Sequence, residues 1–131
     1  MKPEQQLYQL VKDHLPGHYL RIESVASVGA PDIELCYEGV SCWIELKCPP
    51  KEMMIWDMLR PSQQIWHLKR FKQHGKVFII YRIANTILLL KAVRIATQHS
   101  FITKLDYEVI WRANKPWDWT MFFTYLVGEL K

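Results

Sequence analysis

A length of 131 residues suits one domain built on one core, and a composition that is 50% hydrophobic excludes a disordered chain. The apolar runs at residues 77–81 and 87–90 are far too short to span a bilayer, and the first ten residues lack the apolar stretch of a signal peptide. A cytoplasmic protein with no membrane partner is therefore expected. The net charge of +4 is uneven: residues 1–50 carry four Lys/Arg against seven Asp/Glu, residues 51–94 nine against two, and residues 95–131 four of each.

Taken in chain order, residues 3–15 read as a helix. Leu7, Leu10, Val11 and Leu15 fall at helical spacing, Pro3 suits a first turn, and Pro16-Gly17 stops it. Residues 18–25 read as a strand, and residues 27–30 as a loop containing Gly29. Residues 32–37 and 40–48 form a predicted hairpin turning at Glu38-Gly39. On its second strand Ile44 and Leu46 share one face while Glu45 and Lys47 share the other. Pro49-Pro50 ends that strand, and residues 51–60 form a connector with exposed Met and Trp. Pro61 opens a second helix that runs to about His74 and stops at Gly75.

Residues 76–83 and 86–92 make a second predicted hairpin across Ala84-Asn85, followed by a short strand at 107–112. Pro116 is expected to open a last helix whose apolar face holds Trp119, Phe122, Phe123, Leu126 and Val127. The order α-β-β-β-α-β-β plus a helical tail points to an α/β fold with a mixed sheet flanked by helices, not a Rossmann domain. It is read as one domain over 1–131, with a core of about 3–95 and an aromatic-rich extension of about 96–131. No G-x-G-x-x-G or Walker motif is present, so no nucleotide cofactor is expected. Cys36, Cys42 and Cys48, six apart, fit neither a zinc hook nor a disulfide framework and read as small buried residues. The five histidines show no metal-binding grouping and read as structural or surface residues, with a phosphate contact open to His67.

The chemistry concentrates in Pro31-Asp32 and Glu45-Leu46-Lys47. Glu38-Gly39 lies midway between Asp32 and Glu45, so antiparallel pairing folds the two acids together. Mg²⁺ needs only one or two carboxylates plus substrate oxygens, which Asp32 and Glu45 can supply, with the Leu46 carbonyl as a further ligand. Lys47, two residues after Glu45, projects from the same face and can orient an attacking water or stabilise charge on phosphate. Glu4 sits three residues before Leu7 on the apolar stripe of the first helix, placed for a second metal or a supporting role. Gln63 opens the basic helix, where free N–H groups also favour phosphate. Arg60, Ser62, Lys69, Arg70, Lys72 and Lys76 are the candidate phosphate-binding residues, since a basic segment beside an acidic one suits an anion-binding enzyme.

These motifs resemble a known superfamily. Gly29-Ala30-Pro31-Asp32, Glu45-Leu46-Lys47, the upstream Glu4 and the downstream Arg60-Pro61-Ser62-Gln63 with Trp66 and His67 look like the PD-(D/E)XK nucleases. Within that superfamily they most resemble stand-alone virus-type replication-repair nucleases and archaeal-type Holliday junction resolvases, over about residues 4–95. The resemblance implies a restriction-endonuclease-like fold, Mg²⁺ or Mn²⁺ dependence and DNA as substrate. It makes Asp32 and Glu45 metal ligands, Lys47 the catalytic lysine, and Glu4 and Gln63 the accessory site residues. It further implies a homodimer acting on branched DNA, a Holliday junction or a flap, with a phage or mobile-element origin. Two alternatives stay open: a site-specific endonuclease of restriction or homing type, and a nucleic-acid-binding module without catalysis.

Overall fold

The computed structural model describes residues 1–23, 28–98 and 102–131. Six strands form one mixed sheet in sequential order. They are β1 (His18–Arg21), β2 (Ile33–Tyr37), β3 (Val40–Lys47), β4 (Lys76–Ile83), β5 (Thr86–Gln98) and β6 (Ile102–Asn114). Every neighbouring pair is antiparallel except β3 and β4, which run parallel. A parallel pair needs a crossover. Here it is supplied by the short helix α2 (Ile55–Met58) and by α3 (Pro61–Lys72). Helices α1 (Pro3–Val11, continued by a 3-10 turn at Lys12–His14) and α4 (Trp119–Leu130) complete the fold.

Alternation along the strands divides the core in two. Ile33, Leu35, Ile44, Leu46, Phe78, Ile80, Ile87 and Leu89 face α1 and α4, meeting Leu7, Val11, Phe122, Phe123 and Leu126. Ile79, Tyr81 and Leu90 pack with Met58 and Leu59, while Val77, Ala92 and Leu105 pack with Trp66, Leu68 and Phe71 of α3. Each fully buried Leu, Ile or Phe contributes about 1.5–3 kcal/mol. The sheet is thus covered on both faces, in keeping with the restriction-endonuclease-like α/β class. Among the described residues no helix is long and apolar enough to cross a membrane.

Several boundaries differ from the sequence expectation. The strands expected at 86–92 and 107–112 are far longer and pair from Thr86 opposite Asn114 to Gln98 opposite Ile102. Register shifts between Leu89 and Leu90 and between Ala92 and Arg94 break the two-residue alternation, so the pattern fades where the strands continue. The last helix begins at Trp119 and not at Pro116, because the Asp118 carboxylate accepts the Met121 N–H at 3.0 Å and fixes the N-cap. The connector at 51–60 contains a helical turn that buries Met58 and packs Trp56 half-buried against the core, so only Met53 and Met54 are exposed as expected. The strand expected at 18–25 ends at Arg21, with residues 22–23 outside it, while residues 24–27, which include the start of the loop expected at 27–30, and His99 lie outside the described residues.

One glycine sets the approach of the Asp32 loop to α3. Gly29 has φ +84°, and a Cβ there would lie 2.2 Å from the Ser62 carbonyl oxygen. Gly39, at φ +83° in the β2–β3 turn, has no atom within 4 Å of such a Cβ. Both need a left-handed backbone, but only Gly29 also needs the missing side chain. Gly39→Ala should therefore cost about 1 kcal/mol and Gly29→Ala about 2–3 kcal/mol or more in denaturant unfolding. Equal losses would show that close packing of this loop on α3 is unimportant.

Candidate functional site

The site forms where β2 and β3 part. Their ladder ends with Ile33 opposite Ile44, so continuing the register by one residue sets Asp32 against Glu45. Backbone pairing stops there. The Asp32 carboxylate takes over as acceptor, receiving the Leu46 N–H on Oδ2 at 2.8 Å. A strand residue directs its N–H and C=O to the same side, so the Leu46 carbonyl also points toward the space that β2 has left. Glu45 and Lys47 project to the α2/α3 face of the sheet, opposite Ile44 and Leu46, as their alternation requires.

Asp32, Glu45, Leu46 and Lys47 line a cavity of about 270 Å³ together with Glu4 of α1, Arg21 of β1, and Arg60 and Gln63 at the start of α3. All five positions expected to carry chemistry, Glu4, Asp32, Glu45, Lys47 and Gln63, thus border one space. Gln63 is 4% exposed, and its Oε1 accepts the Arg60 N–H at 2.9 Å. That bond satisfies an orphan donor at the helix start and fixes the amide.

The two acids perturb each other. Asp32 is pushed up to about 8 by burial, then by its hydrogen bond to Glu45 and the charge of Glu45, partly offset by the Leu46 N–H and Lys47. Glu45, 1% exposed, is also raised, chiefly by burial. Two adjacent carboxylates, one buried and one half-buried, cannot both ionise cheaply, so the pair shares a proton above the usual carboxylate range.

Behind Glu45 lies a pair of residues that the sequence reading left out of the site. His67, one turn beyond Gln63 on α3, is fully buried. Its Nε2 lies 3.2 Å from Glu45 Oε1, and its Nδ1 lies 2.8 Å from the Tyr107 hydroxyl on β6. Burial and the nearby Lys47 charge lower His67 to about 4, so at neutral pH its contact with Glu45 is a hydrogen bond made by a neutral ring and not an ion pair. Burial, then the charge of Glu45, raises Tyr107, which keeps its proton. His67 is thus buried away from any phosphate. The spacing of four residues between Gln63 and His67 put both on one helix face. The partner on β6 left no local signal.

The six basic-segment residues do not converge on one surface. Arg60 borders the acidic cavity, whereas Lys69 and Lys72 are exposed on α3. Ser62 packs its backbone against Gly29. The Arg70 guanidinium lies over the rings of Trp43 and Trp66, 4.2 and 4.6 Å from their centroids, beside a second cavity of about 460 Å³ that also includes Arg21. The Lys76 ammonium donates to the Glu129 carbonyl of α4 at 3.2 Å. All three cysteines are free, but only Cys42 is buried as expected, Cys36 and Cys48 being half-buried near the strand ends; burial raises Cys42 to about 12 and Cys48 to about 11, leaving both as thiols.

Among the described residues no three His, Cys, Asp or Glu side chains gather as a metal cage. The donor set that is present consists of oxygens: two carboxylates and the carbonyl of Leu46. It suits a hard cation such as Mg²⁺ or Mn²⁺, which keeps waters and needs few protein ligands, and the shared proton marks where positive charge is wanted.

No family model matches the chain, and no curated protein matches it. Among solved structures the chain is similar to Hjc of Archaeoglobus fulgidus, described as a Holliday junction resolvase from an archaeal hyperthermophile. The identity is 12% and the TM-score 0.46, covering 86% of this chain and 88% of that one. A likeness of that degree transfers no residue role.

The pKa shifts give stability a definite pH course in a chelating buffer. Asp32 holds a proton up to about 8 that the unfolded chain releases near 3.8, so its contribution is whole below 3.8 and lost as pH climbs to 8. Glu45 acts in the same sense. His67 acts oppositely between about 4 and 6.5, where the unfolded chain binds a proton that the folded ring refuses. From 6.5 to 8 the carboxylates alone remain, so the thermal midpoint should fall over that window. Asp32→Asn, which cannot ionise, should flatten the fall. Identical slopes in the two proteins would refute the shared proton.

Proposed function

We propose that this chain is a metal-dependent DNA endonuclease of the PD-(D/E)XK type that hydrolyses phosphodiesters in branched DNA, a Holliday junction or a flap. The supporting observation is the pairing of Asp32 with Glu45 at the end of the β2–β3 ladder, with Lys47 and Gln63 in the same cavity. Two acids, a lysine and an amide from three separate segments meet around an opening of about 270 Å³. A solvated strand face would leave Glu45 and Lys47 in water, yet they are 1% and 9% exposed.

In this reading Asp32, Glu45 and the Leu46 carbonyl hold the cation, and Glu4 stands at the rim for a second cation or a supporting contact. A cation held by these groups would supply charge neutralisation at the phosphate and a more acidic water. Lys47 donates to the attacking water or to a non-bridging phosphate oxygen as charge develops there. Gln63, its carbonyl oxygen already engaged by the Arg60 N–H, keeps its amide N–H₂ as a donor. Arg60 meets the phosphate at the cavity mouth, and Lys69, Arg70 and Lys72 neutralise flanking phosphates. A homodimer presenting two such sites would suit paired nicks in a four-way junction.

The test is a panel of four-way junctions, flaps, single strands and linear duplexes, incubated with the full chain in Mg²⁺ or Mn²⁺. Cleavage of branched substrates is expected, with a loss of at least 100-fold in Asp32→Ala and Lys47→Ala while DNA binding is retained. Cleavage of linear duplex at fixed sequences would favour the restriction or homing alternative. Intact substrates throughout, with binding preserved, would leave the non-catalytic binding module.

A further inference from the structure

Asp32 and Glu45 are held by different means. Asp32 Oδ2 is held by a backbone N–H of the neighbouring strand, a donor that no side-chain change removes. Glu45 has no such support from the ladder. Its Oε1 is instead met by His67 Nε2, reaching down from α3. His67 is in turn met by Tyr107 from β6, whose hydroxyl lies 2.8 Å from Nδ1.

The ionised form of Glu45, the form that would hold a cation, fixes the hydrogen-bond roles along this chain. A neutral imidazole carries one N–H. An ionised Glu45 can only accept, so the ring proton belongs on Nε2. The bare Nδ1 then accepts the Tyr107 O–H, and every member is satisfied. No described buried side-chain polar atom is left without a partner. One oxygen of each carboxylate is anchored in this way, which leaves the other oxygen of each to share the proton or meet a cation.

We propose that His67 is a positioning residue for Glu45, and that Tyr107 fixes its tautomer, so that the carboxylate presents its free oxygen beside Asp32 for a divalent cation. The inference rests on the metal-dependent reading above and deepens it. His67 touches neither the cation nor the substrate and acts only through Glu45. A carboxylate on the end of an unbraced side chain would have to be ordered when the cation arrives. The imidazole removes that freedom beforehand and adds no positive charge next to the cation. Such outer hydrogen bonds commonly change metal affinity by about 10–100-fold.

The test uses the full chain and Mn²⁺ itself as probe, titrated calorimetrically without DNA. A Mg²⁺ titration of single-turnover cleavage and a DNA-binding measurement in EDTA accompany it. His67→Leu should lower Mn²⁺ affinity by about 10–100-fold and raise the Mg²⁺ needed for half-maximal cleavage in proportion. High Mg²⁺ should restore most of the rate, and DNA binding in EDTA should not change. His67→Gln, which keeps an N–H donor, should recover much of the affinity. Tyr107→Phe should lower it several-fold with the packing kept.

Wild-type Mn²⁺ affinity and Mg²⁺ requirement in His67→Leu would overturn the inference while leaving the metal site intact. Should His67→Leu fail to fold, Tyr107→Phe decides: unchanged affinity there assigns the network to stability alone and overturns the proposal. A wild-type chain that binds no Mn²⁺ overturns the metal-dependent reading itself, a result distinct from the other two.

Discussion

Two carboxylates forced together at the end of a strand ladder are the constraint on which the rest of the site depends. Asp32 and Glu45 meet because the β2–β3 hairpin pairs symmetrically about its turn. Glu45 is buried there and Asp32 half-buried, and the cost appears in an Asp32 carboxyl pushed up to about 8. Desolvation makes the charged pair unfavourable, and adjacency makes it worse. The fold keeps the pair only because other groups bind the exposed lone pairs. The Leu46 N–H does so for Asp32, and His67 does so for Glu45.

The architecture around that pair follows from bringing donors to it from distant segments. The parallel pairing of β3 with β4 requires a crossover, and the crossover delivers the start of α3 beside the end of β3. Arg60 and Gln63 enter the cavity there. Gly29 lets the loop before Asp32 lie directly on the Ser62 backbone. The parallel strand also sets Ile79 and Tyr81 level with Glu45 and Lys47, giving the polar pair an apolar wall that lowers the local dielectric. At the far edge, β6 extends beside β5 and carries Tyr107 to the back of His67.

The basic segment divides into different roles once folded. Its positive charge is not a uniform strip. Arg60 faces the acids, the Arg70 guanidinium lies against two indoles, and Lys76 is tied to the C-terminal helix. A cation stacked on Trp43 and Trp66 has lost side-chain freedom and partly shed water, so it is ordered in a way that Lys69 and Lys72 are not. The same charge count thus contains both fixed and mobile cations.

The sequence by itself determined what depends on neighbours in the chain. Period-two alternation put Glu45 and Lys47 on one face, the turn at Glu38-Gly39 set Asp32 against Glu45, and helical spacing aligned Glu4 with the apolar stripe and Gln63 near the start of α3. Those features follow from local backbone geometry, so a linear reading reaches them. Tertiary structure alone decided which distant groups complete them. His67 and Tyr107 are forty residues apart and meet only because α3 packs on the sheet face from which Tyr107 of β6 projects. The full lengths of β5 and β6 were hidden because bulges interrupt the alternation by which a strand is recognised. The division of the basic residues was equally hidden, since charge is written in the sequence but its partners are set by packing.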